Sequence, residues 1–314
     1  MLKRIVFLIR DSSLDHHEVR DSVMETKNYI EECGYESEII AFKNRDSVST
    51  SREGKDREVI DKTLYVTDDG GLSEKLLGDG YYVIGMSHSF NKNEEFPSAR
   101  YIFGDISEID IDSFVKAYQR YAGEPWVVLT TDRLIARETT LEDIDEFYKL
   151  YSDPEMTRYM EGLFEDPEDE KRYQKDYIKK VYGLMGFGVW TLVRKSDGRI
   201  IGRAGYSVRS GFDEVELGFL VGRDYQRKGY ASEACRAILD YGRDVLKFEK
   251  VQALVKAENA VSIHMCERLG FTKVEEVDVE ENIYGESYKE GQKATPSKER
   301  CGKYVRMVKD MKID

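Results

Sequence analysis

The chain has 314 residues, of which 40% are hydrophobic and 35% are charged, a composition typical of a globular protein with room for two domains. Its formal net charge of −13 disfavours non-specific binding to nucleic acid or to anionic membranes. No apolar run approaches the roughly 20 residues of a membrane-spanning helix. The apolar run after Met1 stops at Arg10 without a cleavage site, which predicts a strand rather than a signal peptide. We therefore expect a cytoplasmic protein with no nucleic-acid or membrane partner.

The cysteines and histidines are scattered along the sequence. No C-x-x-C pair and no H-x-x-x-H pair occurs among them. Metal sites and redox motifs usually show such spacings. The sequence therefore predicts reduced thiols and no metal site.

Residues 1–122 alternate between apolar runs and amphipathic stretches. Strands are predicted at 3–9, 36–42, 61–67, 81–86 and 101–103, helices at 15–33, 72–77 and 110–121, and a polar loop at 44–58. Alternating strands and helices of this kind indicate a small parallel α/β sandwich, flavodoxin-like or Rossmann-like.

Parallel sheets bind ligands beyond the carboxyl ends of their strands. The loops expected there are 11–13, 67–71 and 87–89. No Walker loop, no G-x-G-x-x-G and no Asp-x-Asp after the first strand occurs among them. We interpret Asp68-Asp-Gly-Gly71 as a turn followed by a helix cap, with a metal or phosphate loop as the alternative, and His88 as a loop histidine. This domain is expected to be a binding, regulatory or scaffolding module of unknown ligand.

A Gly-Glu-Pro break at 123–125 separates a second domain, 127–314. Its predicted strands are 127–137, 187–194, 199–208, 214–221, 251–255, a strand from 271, and 303–308. Its predicted helices are 139–151, 230–247 and 259–269, together with a helical region that begins at 153 and ends in a helix at 170–182. A polar arm is predicted at 276–302. The apolar spacing in the longest helix predicts a buried face of Ala234, Ile238, Tyr241 and Val245.

The stretch 216–234 joins an apolar strand to a helix that begins near Tyr230. Gly229 lets the backbone approach a ligand closely, and Arg227 and Lys228 add positive charge. The first N–H groups of a helix lack partners, and the helix dipole adds positive potential there. The stretch therefore predicts a cradle for a diphosphate group.

Three motifs carry a resemblance to one family. Gln226-x-x-Gly-x-Ala231 resembles the diphosphate-binding signature of the GCN5-related N-acetyltransferases (GNAT), and Asn259-x-x-Ser262 with Glu-Arg-Leu-Gly-Phe271 resembles their second motif. Leu-Ile-x-Arg-x-x-Thr-x-x-Asp, which ends at Asp143, is similar to the opening of the RimJ/RimL-type branch. The resemblance covers about 127–310 and implies a mixed, mostly antiparallel central sheet flanked by helices.

The resemblance also implies an N-acetyltransferase that uses acetyl-CoA to acetylate a primary amine in a ternary complex. It places the pantetheine and the acyl oxygen on backbone groups of Phe219, Leu220 and Val221. It assigns the diphosphate to Gln226, Arg227, Lys228, Gly229, Tyr230 and Ala231. It has Asn259 and Ser262 contact the pantetheine arm or cap their own helix.

For the general base we favour Glu216, acting through a water molecule. Its place on the acyl-binding strand would partly desolvate the carboxylate and raise its pKa. The alternative is a structural carboxylate, and Glu214, on the same face by period two, is the second candidate. Cys266 stands where many relatives have a tyrosine acid, and core packing is its expected role.

The acceptor is open: a protein N-terminus, a small amine or an antibiotic. Side chains suited to a cationic amine are Tyr159, Glu161, Glu165, Trp190 and Tyr206, with the arm 280–302 as a pocket wall. A second hypothesis is a non-catalytic acetyl-CoA sensor with the N-terminal domain as its effector. The oligomeric state also stays open, a homodimer included.

Overall fold

The computed structural model of the chain describes residues 1–48, 61–160, 162–281, 288 and 301–312. They belong to two compact units, Met1–Glu124 and Pro125–Asp314, each with its own sheet. Within the described ranges, no helix is long and apolar enough to cross a bilayer.

The first unit is built on a parallel sheet. Its elements are β1 (Arg4–Arg10), α1 (Asp11–Leu14), α2 (His17–Glu32), β2 (Glu36–Phe42), a 3₁₀ turn (Arg45–Ser47), β3 (Thr63–Thr67), α3 (Gly70–Gly78), β4 (Tyr82–Met86), β5 (Ile102–Phe103), a 3₁₀ turn (Ile106–Glu108) and α4 (Ile111–Ala122). The five described strands stand in the order β2-β1-β3-β4-β5, with parallel neighbours throughout. The predicted parallel α/β architecture is confirmed. Of the predicted loop 44–58, residues 49–58 lie outside the described ranges.

Strand β1 has a separate core on each of its faces. Ile5, Phe7 and Ile9 pack into a core with residues of α2 and α4. Val6 and Leu8 pack into another core with residues of α3. Because both faces are covered, the apolar residues of β1 are consecutive rather than alternating. This arrangement accounts for the apolar run near the N-terminus.

The second unit is built on a mixed sheet. Its elements are β6 (Val127–Thr130), β7 (Leu134–Arg137), a 3₁₀ turn (Leu141–Asp143), α5 (Ile144–Tyr151), α6 (Pro154–Thr157), α7 (Pro167–Tyr177), a π turn (Ile178–Tyr182), α8 (Gly183–Met185), β8 (Val189–Arg194), β9 (Ile200–Ser207), β10 (Val215–Val221), a 3₁₀ turn (Arg223–Tyr225), α9 (Tyr230–Asp244), β11 (Lys250–Lys256), α10 (Ala260–Arg268), β12 (Thr272–Glu280) and β13 (Cys301–Asp310). The eight described strands stand in the order β12-β13-β11-β10-β9-β8-β7-β6. Only β10 and β11 are parallel neighbours in this sheet, as the described residues show it.

Helices α9 and α10 share one core with the sheet. This core includes Ile238 of α9, Cys266 of α10 and Met307 of β13, all of them fully buried. Alternate residues of β10 and β11 belong to it, so the other residues of these strands point to the opposite face of the sheet. That opposite face carries Glu214 and Glu216.

The stretch predicted as one strand at 127–137 is a hairpin. β6 and β7 pair antiparallel, and Thr131, Asp132 and Arg133 form the turn between them. The backbone N–H of Thr131 donates to the carbonyl of Leu134 at 2.9 Å, and the backbone N–H of Leu134 donates to Oγ1 of Thr131 at 3.0 Å. The turn lacks glycine and proline, which explains why the sequence pattern hides it.

The buried face of α9 differs in part from the prediction. Ala234 and Ile238 are buried, but Val245 lies beyond the last helical residue and is 59% exposed, so that part of the prediction is wrong. Gly242 occupies the buried face instead. A Cβ atom there would lie 2.2 Å from the hydroxyl oxygen of Tyr206, so any other residue would require Tyr206 or the helix to shift.

The last two strands are longer than predicted. β12 extends to Glu280, and β13 begins at Cys301, so both ends of the predicted arm 276–302 are strand. Between these strands, residues 282–287 and 289–300 lie outside the described ranges.

Candidate active site

Two neighbouring strands of the second unit separate partway along their length. β10 and β11 pair only at Val215–Val251 and Glu216–Gln252. Both strands nevertheless continue, to Val221 and to Lys256. We call the resulting gap between 217–221 and 253–256 the seam.

Strand β10 presents backbone polar groups to the seam. The N–H of Gly222 donates to the carbonyl of Ile201 on the β9 side at 2.8 Å. This bond shows which residues of β10 direct their backbone groups towards β9. Because backbone direction alternates along a strand, Leu220 bonds towards β9, whereas Phe219 and Val221 face the seam. Of the three residues predicted to bind the acyl end, Phe219 and Val221 therefore direct their N–H and C=O groups towards the seam, and Leu220 does not.

The loop at the end of β10 has an unusual backbone. Arg227 has a φ of 59°, and Gly229 has a φ of 82°. When left-handed and right-handed residues alternate, successive backbone N–H groups point to the same side and form a concavity that suits an anion. Gly229 is also the N-cap of α9, and no side chain of the described residues caps this helix. The first N–H groups of α9, from Tyr230 and Ala231 onwards, are thus suited to an anion.

The side chains of this loop fold back on the loop itself. The amide of Gln226 donates to the carbonyl of Val221 at 3.0 Å, and Nζ of Lys228 donates to the carbonyl of Asp224 at 2.7 Å. Both side chains thus have a backbone carbonyl as their partner. The assignment of 226–231 to a diphosphate stays a prediction.

The second motif caps its own helix. Oδ1 of Asn259 accepts a hydrogen bond from the N–H of Ser262 at 3.1 Å, which is the capping alternative for this residue. Cys266 is fully buried, and burial raises the pKa of its thiol to about 12. Its place in the core agrees with the expected packing role.

The two candidate bases lie in ion pairs. Oε2 of Glu216 accepts from Nε of Arg209 at 2.8 Å, and this glutamate side chain is 12% exposed. Oε2 of Glu214 accepts from Nη2 of Arg306 at 2.7 Å. Nε of Arg306 also donates to Oε1 of the fully buried Gln252 at 3.0 Å. The sequence reasoning missed both arginines and this glutamine; Gln252 pairs with Glu216 in the ladder of β10 and β11, whereas Arg209 follows β9 and Arg306 lies on β13.

An open cavity of about 530 Å³ is lined by Glu214 but not by Glu216. Its lining residues are Gly211, Phe212, Asp213, Glu214, Glu275, Val277, Asp278 and Arg306. Four carboxylates thus stand against one guanidinium. The cavity favours a positively charged occupant.

Two of the predicted acceptor contacts are wrong. Trp190 and Tyr206 are fully buried, and the Tyr206 hydroxyl donates to the carbonyl of Ile238 at 2.9 Å. Aromatic alternation in β8 and β9 marks core positions here, not a ligand surface. Tyr159 is half-buried beside Arg158, and Glu165 is exposed. Glu161 and most of the arm 280–302 lie outside the described residues.

The first unit has a polar network at the carboxyl edge of its sheet. Asp68 is fully buried and is its centre: Oδ1 accepts from the N–H of Arg10 at 3.0 Å. Oδ2 accepts from Oγ of Ser13 at 2.5 Å and lies 3.3 Å from both Nε of Arg10 and Nε2 of His88. Nδ1 of His88 accepts from the N–H of Phe90, so Nε2 carries the proton.

Arg10 fills the crevice where a ligand of such a sheet would bind. Its guanidinium also lies 3.1 Å from Glu94 and 3.9 Å from Asp69. Asp69 caps α3 through the N–H of Leu72, as predicted for this loop. In the part of the chain that the structure describes, no group of three His, Cys, Asp or Glu residues could hold a metal ion.

Comparison with known proteins identifies the second unit. The profile of the acetyltransferase (GNAT) domain matches residues 133–272. The uncharacterised N-acetyltransferase p20 of Bacillus licheniformis is 32% identical over 149 residues, which cover 46% of this chain and 82% of the relative. Spermidine N(1)-acetyltransferase of Escherichia coli strain K12 is 36% identical over 58 residues, 18% of this chain and 31% of that enzyme. A crystal structure of a GNAT-family acetyltransferase from Bacillus anthracis aligns over 58% of this chain and 98% of its own, with 21% identity and a TM-score of 0.45.

The extent of the p20 match decides the family, since most of that relative's length is covered. The RimJ/RimL branch stays a prediction, and none of these comparisons bears on residues 1–122. The chain belongs to the GNAT acetyltransferase family and is an acyltransferase whose acetyl donor is acetyl-CoA.

Proposed function

We propose that the chain acetylates a primary amine of a positively charged acceptor by direct attack in a ternary complex. The observation that carries this proposal is the seam, which lies between an anion-binding loop and a face lined with carboxylates. A donor held on one side and an amine on the other would meet at β10. Residues 127–314 carry this function, and residues 1–122 are proposed to be a separate, regulatory module.

The chemistry of the loop suits the donor. Bound acetyl-CoA supplies an acetyl thioester, which is the activated group of the reaction. The uncapped N-terminus of α9 and the left-handed residues Arg227 and Gly229 suit its diphosphate. The backbone groups of Phe219 and the N–H of Val221 suit the amides of an extended arm, because a strand edge outside a ladder recruits such groups, while the carbonyl of Val221 accepts from Gln226. N–H donors directed at the acyl oxygen typically contribute a few kcal/mol.

The charge of the neighbouring cavity selects the acceptor. Asp213, Glu214, Glu275 and Asp278 outnumber Arg306, and Phe212 adds an aromatic face. Ammonium groups are attracted to both carboxylates and ring faces. The named substrate of the spermidine relative, a polyamine, has this kind of charge.

Glu216 is the proposed base, acting through a water molecule, with Glu214 as the second candidate. Nε of Arg209 donates to Oε2 of Glu216, which holds the carboxylate in a defined orientation. Glu216 belongs to the last residue pair between β10 and β11, where the seam begins, and Glu214 of the cavity lining lies two residues before it in the chain.

Release of free thiol from acetyl-CoA, measured with a panel of basic peptides, polyamines and aminoglycosides, tests this function. We expect turnover with at least one cationic amine, and a loss of about 10²-fold in kcat for Glu216→Gln, since a positioned base contributes roughly that factor or more. Glu249→Gln, an exposed glutamate of the same unit, is the matched control and should keep full activity.

Full activity of Glu216→Gln at neutral pH would remove the proposed base. Tight binding of acetyl-CoA without acceptor-dependent turnover across the whole panel would instead support the sensor hypothesis.

A further inference from the structure

The turn between β6 and β7 is fastened to the proposed diphosphate loop. Nη1 of Arg133 donates to the carbonyl oxygen of Lys228 at 3.0 Å. Nε and Nη2 of Arg133 each lie 2.6 Å from Oε2 of Glu233, in the first turn of α9. Oγ1 of Thr131 donates to Oε1 of Glu233 at 2.6 Å, and the N–H of Arg133 donates to the same oxygen at 3.0 Å.

We propose that Arg133 is a positioning residue for the diphosphate of the donor, because it orients the Lys228–Gly229 peptide and neutralises Glu233. This inference rests on the proposed placement of the diphosphate at residues 226–231. It assigns a role to a residue that the family motifs leave without one.

The orientation follows from the geometry of a trans peptide. In such a unit the C=O and the N–H point in opposite directions. Because Arg133 binds the carbonyl of Lys228, the N–H of Gly229 points away from Arg133. This N–H belongs to Gly229, which with Arg227 is left-handed, and it is part of the same concavity. Arg133 therefore holds a donor in its binding orientation before any ligand arrives.

The second effect is electrostatic. Glu233 lies in the first turn of the helix whose N-terminus would face the diphosphate. An unpaired carboxylate there would repel a ligand that carries negative charge. Although burial raises the pKa of Glu233, hydrogen bonds from Thr131 and Arg133 lower it on balance, so this carboxylate is ionised. The guanidinium of Arg133 supplies the compensating charge.

A purely structural role would be to anchor the hairpin to α9. The chain offers a control for that role, because Nζ of Lys195 donates to the carbonyl of Thr131 from the other side of the same turn. Lys195 anchors the turn but is not among the described contacts of the loop. Lys195→Met would therefore weaken the attachment of the turn but keep the contacts of Arg133 with the Lys228 carbonyl and with Glu233.

The experiment compares two donors in the full-length protein. Acetyl-CoA contains the diphosphate, and S-acetylpantetheine ends before it. Calorimetry gives the Kd of each donor, and thiol release gives kcat/KM. The variants are Arg133→Met, which keeps an unbranched apolar stem over the Tyr230 ring, and Arg133→Lys, which keeps the charge but not the forked donors.

We expect Arg133→Met to raise the Kd of acetyl-CoA about 10- to 30-fold, the range for loss of a charge-assisted hydrogen bond. Its effect on S-acetylpantetheine should stay within about twofold. The Kd of Arg133→Lys for acetyl-CoA should lie between those of wild type and Arg133→Met. Glu233→Gln in the Arg133→Met background should restore part of the affinity, because Gln keeps the Oε1 acceptor without the charge. Lys195→Met should change neither Kd.

An equal loss for both donors, or the same loss in Lys195→Met, would overturn the proposal. Gly229→Val separates its failure from that of the diphosphate placement. If Gly229→Val weakens acetyl-CoA binding and Arg133→Met does not, the placement stands and the positioning role falls. If neither variant weakens binding, the placement itself fails. Should Arg133→Met not fold, Arg133→Lys decides alone: an unchanged Kd for acetyl-CoA would overturn the role of the Lys228 carbonyl.

Discussion

Replacement of Asp68 by asparagine should destabilise the first unit by about 3 kcal/mol. Three donors converge on Oδ2 of this fully buried carboxylate, from Arg10, Ser13 and His88. The asparagine side chain could keep one acceptor for the Arg10 N–H but would place an NH₂ group against the other donors. Removal of one partner of a buried ion pair typically costs about 3–5 kcal/mol. We use the lower end because Arg10 keeps Glu94, and its side chain is 26% exposed.

The pH dependence gives the same prediction a second test. Although burial raises it, hydrogen bonds from His88, Ser13 and Arg10 bring the pKa of Asp68 below its ordinary value. An unfolded Asp has a pKa of about 3.9. A carboxyl whose pKa is lower when folded stabilises above that unfolded value, and this stability is lost as the pH falls through the folded pKa. The gap between wild type and Asp68→Asn should therefore be full at neutral pH and narrow below about pH 4.

Native-state hydrogen exchange on the full chain is the suitable assay, because it reports the first unit separately through peptides of β1 and β3. Asp112→Asn is the matched control, since Asp112 is 65% exposed and pairs with Lys116 on the surface of α4. We expect the control to stay within about 0.5 kcal/mol of wild type. If Asp68→Asn also stays in that range, the network does not stabilise the unit and the reasoning is refuted.

Two further variants test the backbone and the packing of the second unit. Arg227→Gly should leave the free energy of unfolding unchanged or raise it by up to about 1 kcal/mol, because Arg227 has a left-handed φ. The same variant should raise the Kd for acetyl-CoA, because a positive charge is lost. Urea unfolding measures the first effect and calorimetry the second, and a loss of stability at constant Kd would contradict both expectations. Gly242→Ala should cost about 1–3 kcal/mol, because its Cβ would meet the Tyr206 hydroxyl at 2.2 Å, and Tyr206→Phe should recover part of that loss. Additive losses in the double variant, measured by thermal unfolding, would contradict the contact.

The sequence predicts an element well where its structure depends on residues that are near one another in the chain. The strand–loop–helix around Gly229, the Asn259 cap and the parallel sheet of the first unit follow from apolar spacing and backbone preference alone. Asp69 is a helix cap for the same reason.

Partners that lie far apart in the sequence are the part that could not be predicted. Asp68 looks like a turn residue until β1 brings Arg10 and Ser13 beside it. The ion pair of Glu216 with Arg209 depends on how β9 and β10 align. The aromatic residues Trp190 and Tyr206 suit a cation as well as a core, and only the packing of α9 on the sheet decides between the two. Long-range pairing, not local preference, sets these outcomes.

The seam also divides the second sheet mechanically. Among the described strands, the ladder between the block β6–β10 and the block β11–β13 consists of two residue pairs, Val215–Val251 and Glu216–Gln252. Beyond those pairs, the described residues of β10 and β11 form no ladder, so backbone pairing does not fix the spacing of the two blocks there. Side chains of the core shared by α9, α10 and the sheet, such as Ile238 and Cys266, pack behind both blocks instead. We therefore expect that a change in the volume of such a core residue, which touches no ligand, changes the distance between β10 and β11.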